Sequence, residues 1–455
     1  MDINLNTIQK EIVNYNQPEM LINGVAGSGK TLCLLFNAVR KSQESSGIFF
    51  FTYNKTLQKY LKDMISTQDI SNIHISTFHK WALDEFKKLY PRIRVIYGKL
   101  LKTFLDKAIE LSSANYSGRF IKEDKYRDFL LEEIDFINEQ YVTSREEYLK
   151  MTRVGRGTEI RLSQADRKEV YDIYENFQVE KFKGNFVQFS ELAARLLDNI
   201  DKVDPDNKIK HIYIDEAQDL SKAQLLLLKK LSQETFYVAA DKGQKIYNTS
   251  YSWREIGVNI LGGRTKILTT SYRTTEQILR LAKCLQSNDA ILEDAEFTEA
   301  VMDNMKQGPL PKVVKFDKHN QEKTFLSEIK DSNYSENSVG VIVNTWYEGN
   351  KYANYLKKAG IPHEFIKQDE GSSLLPGVKI TTSYSSKGLE FDHVIYPNFK
   401  LEKNISEEDP DSMNKHRRLY YVSFTRARHK LSILVPKESP SRFFDELSSD
   451  FYKKN

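Results

Sequence analysis

The residues with the clearest chemistry form a phosphate-binding loop near the amino terminus. Residues 24–31 read GVAGSGKT and satisfy the pattern G-x-x-x-x-G-K-[ST]. In such a loop, backbone amides surround nucleotide phosphates, the lysine neutralises β- and γ-phosphate oxygens, and the final hydroxyl binds Mg²⁺. The pattern therefore predicts a site for Mg²⁺ and ATP centred on Lys30 and Thr31. Further contacts to the nucleotide are expected from Gly24, Ala26, Gly27, Ser28 and Gly29.

A pair of acids supplies the second chemical signal. Asp215 and Glu216 directly follow the apolar segment 212–214 and open the sequence DEAQD. Hydrolysis of a nucleotide needs one carboxylate on the metal ion and another that takes a proton from the attacking water. We assign these roles to Asp215 and Glu216 respectively, so that Thr31 and Asp215 would hold Mg²⁺. Acids at the end of a strand are often merely solvated, and the phosphate-binding loop favours the catalytic interpretation.

These side chains must be positioned by a sheet of parallel strands. Short apolar runs recur along the chain with helical patterns between them, as in Leu21–Asn23, which precedes the loop and a helix predicted over Thr31–Arg40. Such runs are typical of buried parallel strands, whose carboxyl ends carry ligand-binding loops. The alternation predicts an α/β fold. The predicted strands are Met20–Asn23, Ile48–Thr52, Ile73–Ser76, His211–Ile214, Phe236–Ala240, Lys266–Leu268, Val339–Val343, Lys379–Thr382, His393–Tyr396 and Leu431–Val435.

Two features divide the chain into domains. Residues from about Phe86 to Gln188 carry long charged helical patterns and no convincing strand, which predicts a helical insertion in the first α/β domain. The glycine pair Gly262–Gly263 predicts the boundary to a second α/β domain. The predicted units are a first domain at 1–90 and 186–262, an insertion at 91–185 and a second domain at 263–455.

Length and composition agree with a folded protein of more than one domain. The chain has 455 residues, more than the roughly 250–300 at which single cores stop growing. Lys and Arg number 67 against 63 Asp and Glu, so the charge of +4 does not by itself indicate nucleic-acid binding. We find no secretion signal, no apolar run long enough to span a membrane and no motif joining Cys33 to Cys284. We therefore expect a cytoplasmic protein that is not bound to a membrane.

Beyond these signals, the chain resembles the superfamily 1 helicases of the UvrD/Rep/PcrA type. DEAQD is the form that the acidic motif takes in this family, and further family motifs occur in the family's order between residues 5 and 428. The resemblance implies two RecA-like P-loop NTPase domains with parallel sheets, and a helical insertion in the first. It also implies an ATPase that moves along DNA or unwinds it.

The resemblance assigns more residues to the ATP site. Leu5-Asn6-x-x-Gln9 is similar to the motif that reads adenine, so Gln9 would hydrogen-bond the base. Tyr272 would lie against adenine, and Glu390 would lie near the ribose. The residues implied to act at the γ-phosphate are Gln244, Arg273 and Arg426.

Other motifs of the family contact single-stranded nucleic acid. Segments 51–55, 76–79, 240–247 and 382–391 are similar to four of these motifs. An aromatic residue after a strand can equally be part of the core, so packing remains an alternative at each position. The strand contacts implied by the resemblance are Tyr53, Asn54, His79, Tyr247, Trp253 and Tyr384.

The predicted layout couples ATP hydrolysis to movement. The loop around Lys30 lies in the first predicted domain, whereas Arg273 and Arg426 lie in the second. An arginine that stabilises the transferred phosphoryl group contributes about 10³–10⁵ in rate, so rapid hydrolysis would require closure of the cleft. Alternating closure and release would move a strand that lies across both domains. A 3′ to 5′ polarity on single-stranded DNA is implied by the resemblance alone.

The chain departs from the family in length. UvrD-type helicases insert a large helical domain into the second α/β domain, but only about a dozen residues separate Ile361–Ile366 from Lys379 here. The first hypothesis is a compact translocase or helicase acting on single-stranded DNA or a 3′-tailed duplex, in repair, recombination or anti-phage defence. The alternative is a nucleic-acid-sensing ATPase subunit that controls a partner nuclease or effector and unwinds poorly alone. The missing insertion favours the alternative, and the strand-contacting motifs favour the motor.

Overall fold

Two sheets of parallel strands and a helical unit make up the computed structural model, and the predicted α/β class is confirmed. The described residues are 5–52, 72–152, 160–206, 208–241, 243, 251–289, 298–303, 305–366, 373–400 and 410–454. The strands are β1 (Glu19–Gly24), β2 (Ile48–Phe51), β3 (Ile73–Ser76), β4 (Arg94–Val95), β5 (Phe186–Val187), β6 (His211–Ile214), β7 (Thr235–Ala240), β8 (Thr265–Leu268), β9 (Lys312–Phe316), β10 (Ser338–Val343), β11 (His363–Phe365), β12 (Gly377–Thr382), β13 (Phe391–Tyr396), β14 (Ala427–Pro436) and β15 (Lys453–Lys454).

The α-helices lie between these strands and in the insertion. They are α1 (Thr7–Val13), α2 (Lys30–Ser42), α3 (Phe78–Leu89), α4 (Lys99–Ser112), α5 (Arg119–Lys122), α6 (Arg127–Glu139), α7 (Arg145–Lys150), α8 (Gln164–Lys183), α9 (Leu192–Leu197), α10 (Lys222–Leu231), α11 (Trp253–Ile256), α12 (Glu276–Gln286), α13 (Gln321–Asp331), α14 (Trp346–Lys358) and α15 (Pro410–Phe424). No helix in the described part of the chain is both long enough and apolar enough to cross a bilayer.

The first sheet has the strand order β3-β2-β6-β7-β1-β8, and each described pair is parallel. Its central strands are buried along their whole length, because a separate apolar cluster covers each face. Burial on both faces explains why these strands read as continuous apolar runs. All six predicted strands of this sheet are present, with ends that differ from the prediction by at most one residue.

The last strand of the first sheet shows that the predicted domain boundary is wrong. Strand β8 pairs with β1, with Leu21 opposite Thr265 and Gly24 opposite Leu268, so the first sheet continues past Gly262–Gly263. Both glycines have positive φ, 69° and 80°, which fits a tight turn inside the domain. Helix α12 packs in the core beneath the second sheet. The chain therefore passes between the two domains after Leu268.

The helical insertion has a core of its own and a fixed junction with the first domain. Its apolar cluster draws on helices α4 to α8. A short parallel pair, β4 with β5, closes its base, which corrects the expectation that this region holds no strand. Beside that pair, the Nζ atom of Lys181 lies 2.5 Å from Glu191 Oε1 and 2.9 Å from Gln188 Oε1, with all three side chains buried. Separating a buried ion pair is costly, so this contact fixes the last insertion helix to the domain.

The second sheet has the order β11-β12-β10-β13-β14-β9-β15, again with parallel pairs throughout its described part. Two apolar clusters cover its faces. Strand β9, with the sequence KVVKF, is absent from the predicted strands, because Lys312 and Lys315 leave an apolar run of only two residues between them. The adjacent strands β11 and β12 are joined by a short connection.

A buried histidine makes the second sheet sensitive to acid. His393 is 6% exposed; its Nε2 atom lies 3.0 Å from the hydroxyl of Ser432, which donates to Glu328, while Nδ1 has no hydrogen-bond partner. Burial, assisted by the positive charges of Lys430 and Lys312, lowers the pKa of His393 from 6.5 to about 3. Between pH 3 and pH 6.5, only the unfolded chain binds a proton at the His393 imidazole. The free energy of unfolding therefore falls as the pH drops below 6.5.

We expect this one group to remove about 2 kcal/mol of unfolding free energy between pH 7 and pH 5. Urea denaturation at the two pH values measures the loss. The His393→Gln variant, although less stable at pH 7, should lose correspondingly less on acidification. An equal loss in both proteins would exclude His393 as the source.

Candidate active site

The predicted catalytic residues come together because their strands are neighbours with the same direction. Carboxyl ends of parallel strands meet at one edge of a sheet. Strands β6, β7, β1 and β8 lie side by side in that order. The DEAQD segment follows β6, Asp241 follows β7, the phosphate-binding loop follows β1 and residues 271–275 follow β8. Segments that are far apart in sequence therefore enclose one cleft.

The phosphate-binding loop has the backbone that its glycines allow. Gly27 and Gly29 have φ values of 72° and 86°, which other residues rarely adopt. A Cβ atom on Gly27 would also collide with the side chain of Arg273. Helix α2 begins at Lys30, so its free amides point into the loop. The buried hydroxyl of Ser28 has no hydrogen-bond partner and is available to a ligand in the loop.

Lys30 lies inside the loop and is 6% exposed. Its Nζ atom donates to the carbonyls of Gly24 at 2.6 Å and Val25 at 3.0 Å, and lies 3.5 Å from Asp241 Oδ2. The ammonium group is thus held where nucleotide phosphates would lie, with only one distant carboxylate as a counterion among these contacts. A phosphate could replace the carbonyl oxygens as the acceptor for this group.

Asp215 and Thr31 fit a metal ion. The Thr31 hydroxyl donates to Asp215 Oδ2 at 2.8 Å, whereas the buried Oδ1 atom of Asp215 has no hydrogen-bond partner. Burial, and then the adjacent charge of Glu216, raise the pKa of Asp215 to about 7. Among the described residues, no group of three or more His, Cys, Asp or Glu could hold a metal. Mg²⁺ commonly uses one or two protein oxygens together with water and phosphate, so Thr31 and Asp215 are a sufficient protein contribution.

Glu216 has the charge state that a general base needs. Burial raises the pKa of its carboxyl, but three nearby cations outweigh that effect and hold the pKa below its usual value; in order of influence they are Lys387, Lys30 and Arg426. Its backbone is left-handed, with φ of 54°, and Gln218 Nε2 donates to Oε2 at 2.5 Å. A non-glycine residue in this conformation is strained, and the surrounding contacts must hold it there.

Lys387 brings the second domain into the same cleft. It follows β12 in the second sheet, yet its Nζ atom lies 2.5 Å from Asp219 Oδ2 and 3.7 Å from Glu216 Oε2. The side chains of Lys387 and Asp219 are 3% and 0% exposed. The sequence assigns no role to either residue, although both belong to matched motifs. The separation of Lys387 and Asp219 in the sequence does not indicate that the two residues are in contact.

The two predicted arginines also lie in the cleft. Arg273 Nε is 2.6 Å from Glu390 Oε1, which joins the segment after β8 to the second domain. Arg426 is 1% exposed and donates through Nε to the Val422 carbonyl at 3.0 Å. Burial, together with the like charge of Arg273, lowers the pKa of Arg426 to about 10, so it stays protonated at neutral pH. Because β8 belongs to the first sheet, Arg273 lies on the connection between the domains and not within the second, contrary to the prediction.

The residues expected at adenine lie at the outer end of the loop. Gln9 donates to the Ser28 carbonyl at 3.1 Å, and with Asn6 it caps helix α1. Asn6 Nδ2 also donates to the hydroxyl of Tyr272 at 2.9 Å. Tyr272 is 56% exposed, so a face of its ring is open to a base.

The residues expected to contact a strand are less well supported by their positions. Tyr53, Asn54 and Tyr247 lie outside the described residues, and so does Gln244, which the resemblance assigns to the γ-phosphate. His79 is half-buried against Phe189 and Gln224, and burial lowers its pKa. Tyr384 is half-buried, with the Lys415 ammonium 5.8 Å from its ring.

Trp253 is placed differently from the prediction. It is 3% exposed, lies in the apolar cluster under the first sheet and packs edge-on against Tyr251. A base needs an accessible ring face on which to stack. The packing alternative therefore holds at this position, and the predicted base contact is wrong.

Two family models match the chain. The model of the UvrD/REP helicase N-terminal domain covers residues 5–261, more than half of the chain, and that of the UvrD-like helicase C-terminal domain covers 367–438. The chain belongs to the UvrD/Rep helicase family. This membership confirms the predicted enzyme class, an ATP-hydrolysing DNA helicase.

Individual members of this helicase family are distant in sequence. DNA helicase IV of Escherichia coli K12 is 23% identical over 98% of the chain and 70% of that protein. ATP-dependent DNA helicase Rep of Buchnera aphidicola subsp. Acyrthosiphon pisum is 24% identical over 95% of the chain and 68% of that protein. ATP-dependent DNA helicase PcrA of Bacillus subtilis is 26% identical over 63% of the chain, and the match covers 40% of that protein.

Removing the carboxylate of Glu216 tests the active site of this helicase. The Glu216→Gln variant keeps the shape of the side chain but cannot accept the proton, so we expect ATP hydrolysis to fall by about 10²–10⁴. Binding of a fluorescent ATP analogue should persist. Glu234→Gln, at the opposite edge of the same sheet, is the matched control and should hydrolyse ATP normally. Hydrolysis by Glu216→Gln at the rate of the control would refute the assignment.

Proposed function

We propose that this helicase is a compact motor that uses Mg²⁺ and ATP to move along single-stranded DNA and to open duplexes with a 3′ tail. The observation that carries the proposal is the contact of Lys387 with Asp219 and Glu216. This contact ties the second domain to the acidic motif that would activate water. A change in the distance between the domains would therefore change the catalytic group directly.

The charges in the cleft support the coupling of hydrolysis to domain movement. Lys30 and Asp215 belong to the first domain, Arg426 belongs to the second, and Arg273 lies on the connection between them. A γ-phosphate between Lys30 and the arginines would complete a site that neither domain contains alone. Closure with ATP and release after hydrolysis would then move the domains in turn along a bound strand.

Mg²⁺ is proposed as the metal because the protein offers hard oxygen donors at the right place. The unpartnered Oδ1 atom of Asp215 and the hydroxyl of Thr31 would hold it. When bound, the ion would supply positive charge that stabilises the charge developing on the phosphates. The protein would supply the ionised base through Glu216 and the cations through Lys30, Arg273 and Arg426.

Strand type and biological role are proposed from the family. A 3′ to 5′ direction, and a role in DNA repair, recombination or anti-phage defence, follow from resemblance. The short connection between β11 and β12 leaves little room for a further helical domain there. We therefore expect unwinding to be weaker than translocation.

Stimulation of ATP hydrolysis by single-stranded DNA is the first test. The wild-type rate should rise on addition of oligothymidylate. In Arg426→Ala the stimulated rate should be lower by a factor of about 10³ or more. Arg92→Ala changes an exposed residue shortly before β4; it is the matched control and should respond normally. The same measurements with single-stranded RNA show whether the stimulation of ATP hydrolysis depends on the sugar of the strand. No stimulation of the wild type by either polymer would overturn the proposed motor.

Tailed duplexes test direction and unwinding separately. With ATP, we expect strand separation from a 3′-tailed duplex and none from a 5′-tailed one. Translocation is measured separately, by the displacement of streptavidin from biotinylated single strands. The reverse preference would contradict the proposed polarity. The regulatory-subunit alternative would be favoured by a different result. In that result the protein translocates without separating strands, and separation appears when a co-purifying nuclease or other protein is added.

A further inference from the structure

Contacts around Glu216 must hold a backbone conformation that a residue with a side chain disfavours. Glu216 has φ of 54° and ψ of 40°, and the short 3₁₀ helix Ala217–Asp219 follows it directly. A left-handed conformation persists outside glycine only where neighbouring groups hold it in place. The direction of the Glu216 carboxylate therefore depends on what the residues of this turn contact.

Two contacts hold the turn from outside. The hydroxyl of Tyr251 donates to the Ala217 carbonyl at 2.9 Å, and Lys387 pairs with Asp219 at 2.5 Å. Lys387 also lies 3.7 Å from Glu216 Oε2, which is beyond hydrogen-bond distance. These contacts hold the backbone and the last residue of the turn, but neither is a hydrogen bond to the carboxylate of Glu216.

The middle residue of the turn, Gln218, supplies that hydrogen bond. Gln218 is 3% exposed; its Nε2 atom donates to Glu216 Oε2 at 2.5 Å, and its Oε1 atom accepts from the backbone amide of Asp241 at 3.0 Å. A backbone amide can only donate, and an ionised carboxylate can only accept. Each end of the Gln218 amide thus faces the one kind of partner that it can bond, so the side chain is held in a single orientation.

The other end of this bridge also lies in the cleft. Asp241 directly follows β7, is 5% exposed, and has its Oδ2 atom 3.5 Å from Lys30 Nζ. Strands β6 and β7 are parallel neighbours, so the bridge joins the turn after one strand to the first residue after the other. Gln218 therefore connects the carboxylate of Glu216 to the segment that faces the lysine of the phosphate-binding loop.

The charged groups near Glu216 attract its carboxylate without fixing its direction. The cations are Lys387, Lys30 and Arg426, in order of influence, and the acid Asp215 precedes Glu216 in the chain. Attraction between charges falls slowly with distance and has no preferred angle, whereas a hydrogen bond to a carboxylate is short and directional. A general base must lie within hydrogen-bond reach of the water that it deprotonates. The orientation of Glu216 therefore matters as well as its charge.

We propose that Gln218 is a positioning residue for the water-activating carboxylate of this enzyme. Its side-chain amide holds Glu216 Oε2 within the strained turn and, through the backbone of Asp241, keeps that carboxylate in register with Lys30. Gln218 itself touches neither the water nor the nucleotide in this role. The inference rests on the proposed function, in which Glu216 activates the water.

The rate of ATP hydrolysis without DNA tests this role. Gln218→Met keeps the length of the side chain and removes both hydrogen bonds. Loss of a hydrogen bond to a charged group should lower kcat by about ten- to hundred-fold. The KM for ATP and the binding of a fluorescent ATP analogue should stay at wild-type values, because the phosphate-binding loop is unchanged.

The matched control is Gln224→Met, the same substitution at another buried glutamine of the first domain. Gln224 is 6% exposed, and its side chain contacts the backbone amide of Ser221 and the ring of His79, away from Glu216. The kcat of this variant should equal that of the wild type. Equal kcat values for Gln218→Met and Gln224→Met would overturn the inference.

A double-mutant cycle separates positioning of the carboxylate from general support of the fold. In a Glu216→Gln background, adding Gln218→Met should change the residual rate by less than about two-fold, because the carboxylate through which Gln218 acts is gone. Single-turnover hydrolysis with enzyme in excess measures these low rates. A residue that only supported the fold would lower the rate by the same factor in both backgrounds, and that result would overturn the inference.

A second variant decides the matter if Gln218→Met fails to bind the ATP analogue. Gln218→Glu keeps an oxygen that can accept from the Asp241 amide and replaces the nitrogen that donates to Glu216. Its kcat should also fall by at least about ten-fold. A wild-type kcat in this variant would show that the donated hydrogen bond is not needed.

The outcomes separate this inference from the proposed function. Hydrolysis by Glu216→Gln at the rate of its control would overturn the assigned base and this inference together. Loss of hydrolysis in Glu216→Gln, with Gln218→Met matching Gln224→Met, would overturn the inference alone. Loss of kcat in Gln218→Met that disappears in the Glu216→Gln background would support both.

Discussion

The parallel direction of the strands is the constraint on which the rest of the structure depends. In both sheets the loops that carry chemistry follow the carboxyl ends of strands, so they share one edge whatever their separation in sequence. Asp215 and Lys30 are brought together in this way, although strand β7 lies between the strands that precede them. The same rule places Lys387 where it can reach the acidic motif of the other domain. The strand topology thus brings the predicted catalytic residues together, whatever side chains they carry.

Within that arrangement, buried charge determines how the domains fit together. Charges removed from water are tolerated when they are paired, and breaking a buried pair is costly. Asp219 is paired with Lys387, and Glu390 with Arg273. The buried Lys387–Asp219 pair therefore resists separation of the domains even without a nucleotide, and the half-buried Arg273–Glu390 pair is a second contact of the same kind. A bound nucleotide would add negative charge to the same cleft, and the cations would be redistributed among phosphates and carboxylates.

Local signals in the sequence predict local structure well. Helix α8 begins and ends where local signals lie in the sequence, because Ser163 precedes it and forms a capping box with Asp166 of its first turn, and Gly184 follows it. The phosphate-binding loop needs only contiguous residues and a strand before it. Pairings between distant segments could not be predicted in the same way. Nothing near Thr265 indicates that β8 lies beside β1, and the burial of Trp253 depends on a cluster gathered from the whole domain.

The connection between the domains passes directly over the phosphate-binding loop. Only residues 269–275 separate β8 of the first sheet from α12 beneath the second. Within them, the amide of Tyr272 donates to the carbonyl of Gly27 at 2.9 Å, and Arg273 lies against the same glycine. The connection between the domains and one wall of the predicted nucleotide site are therefore the same segment of chain. In the proposed motor, a change at the bound phosphates would reach this connection without any intervening element.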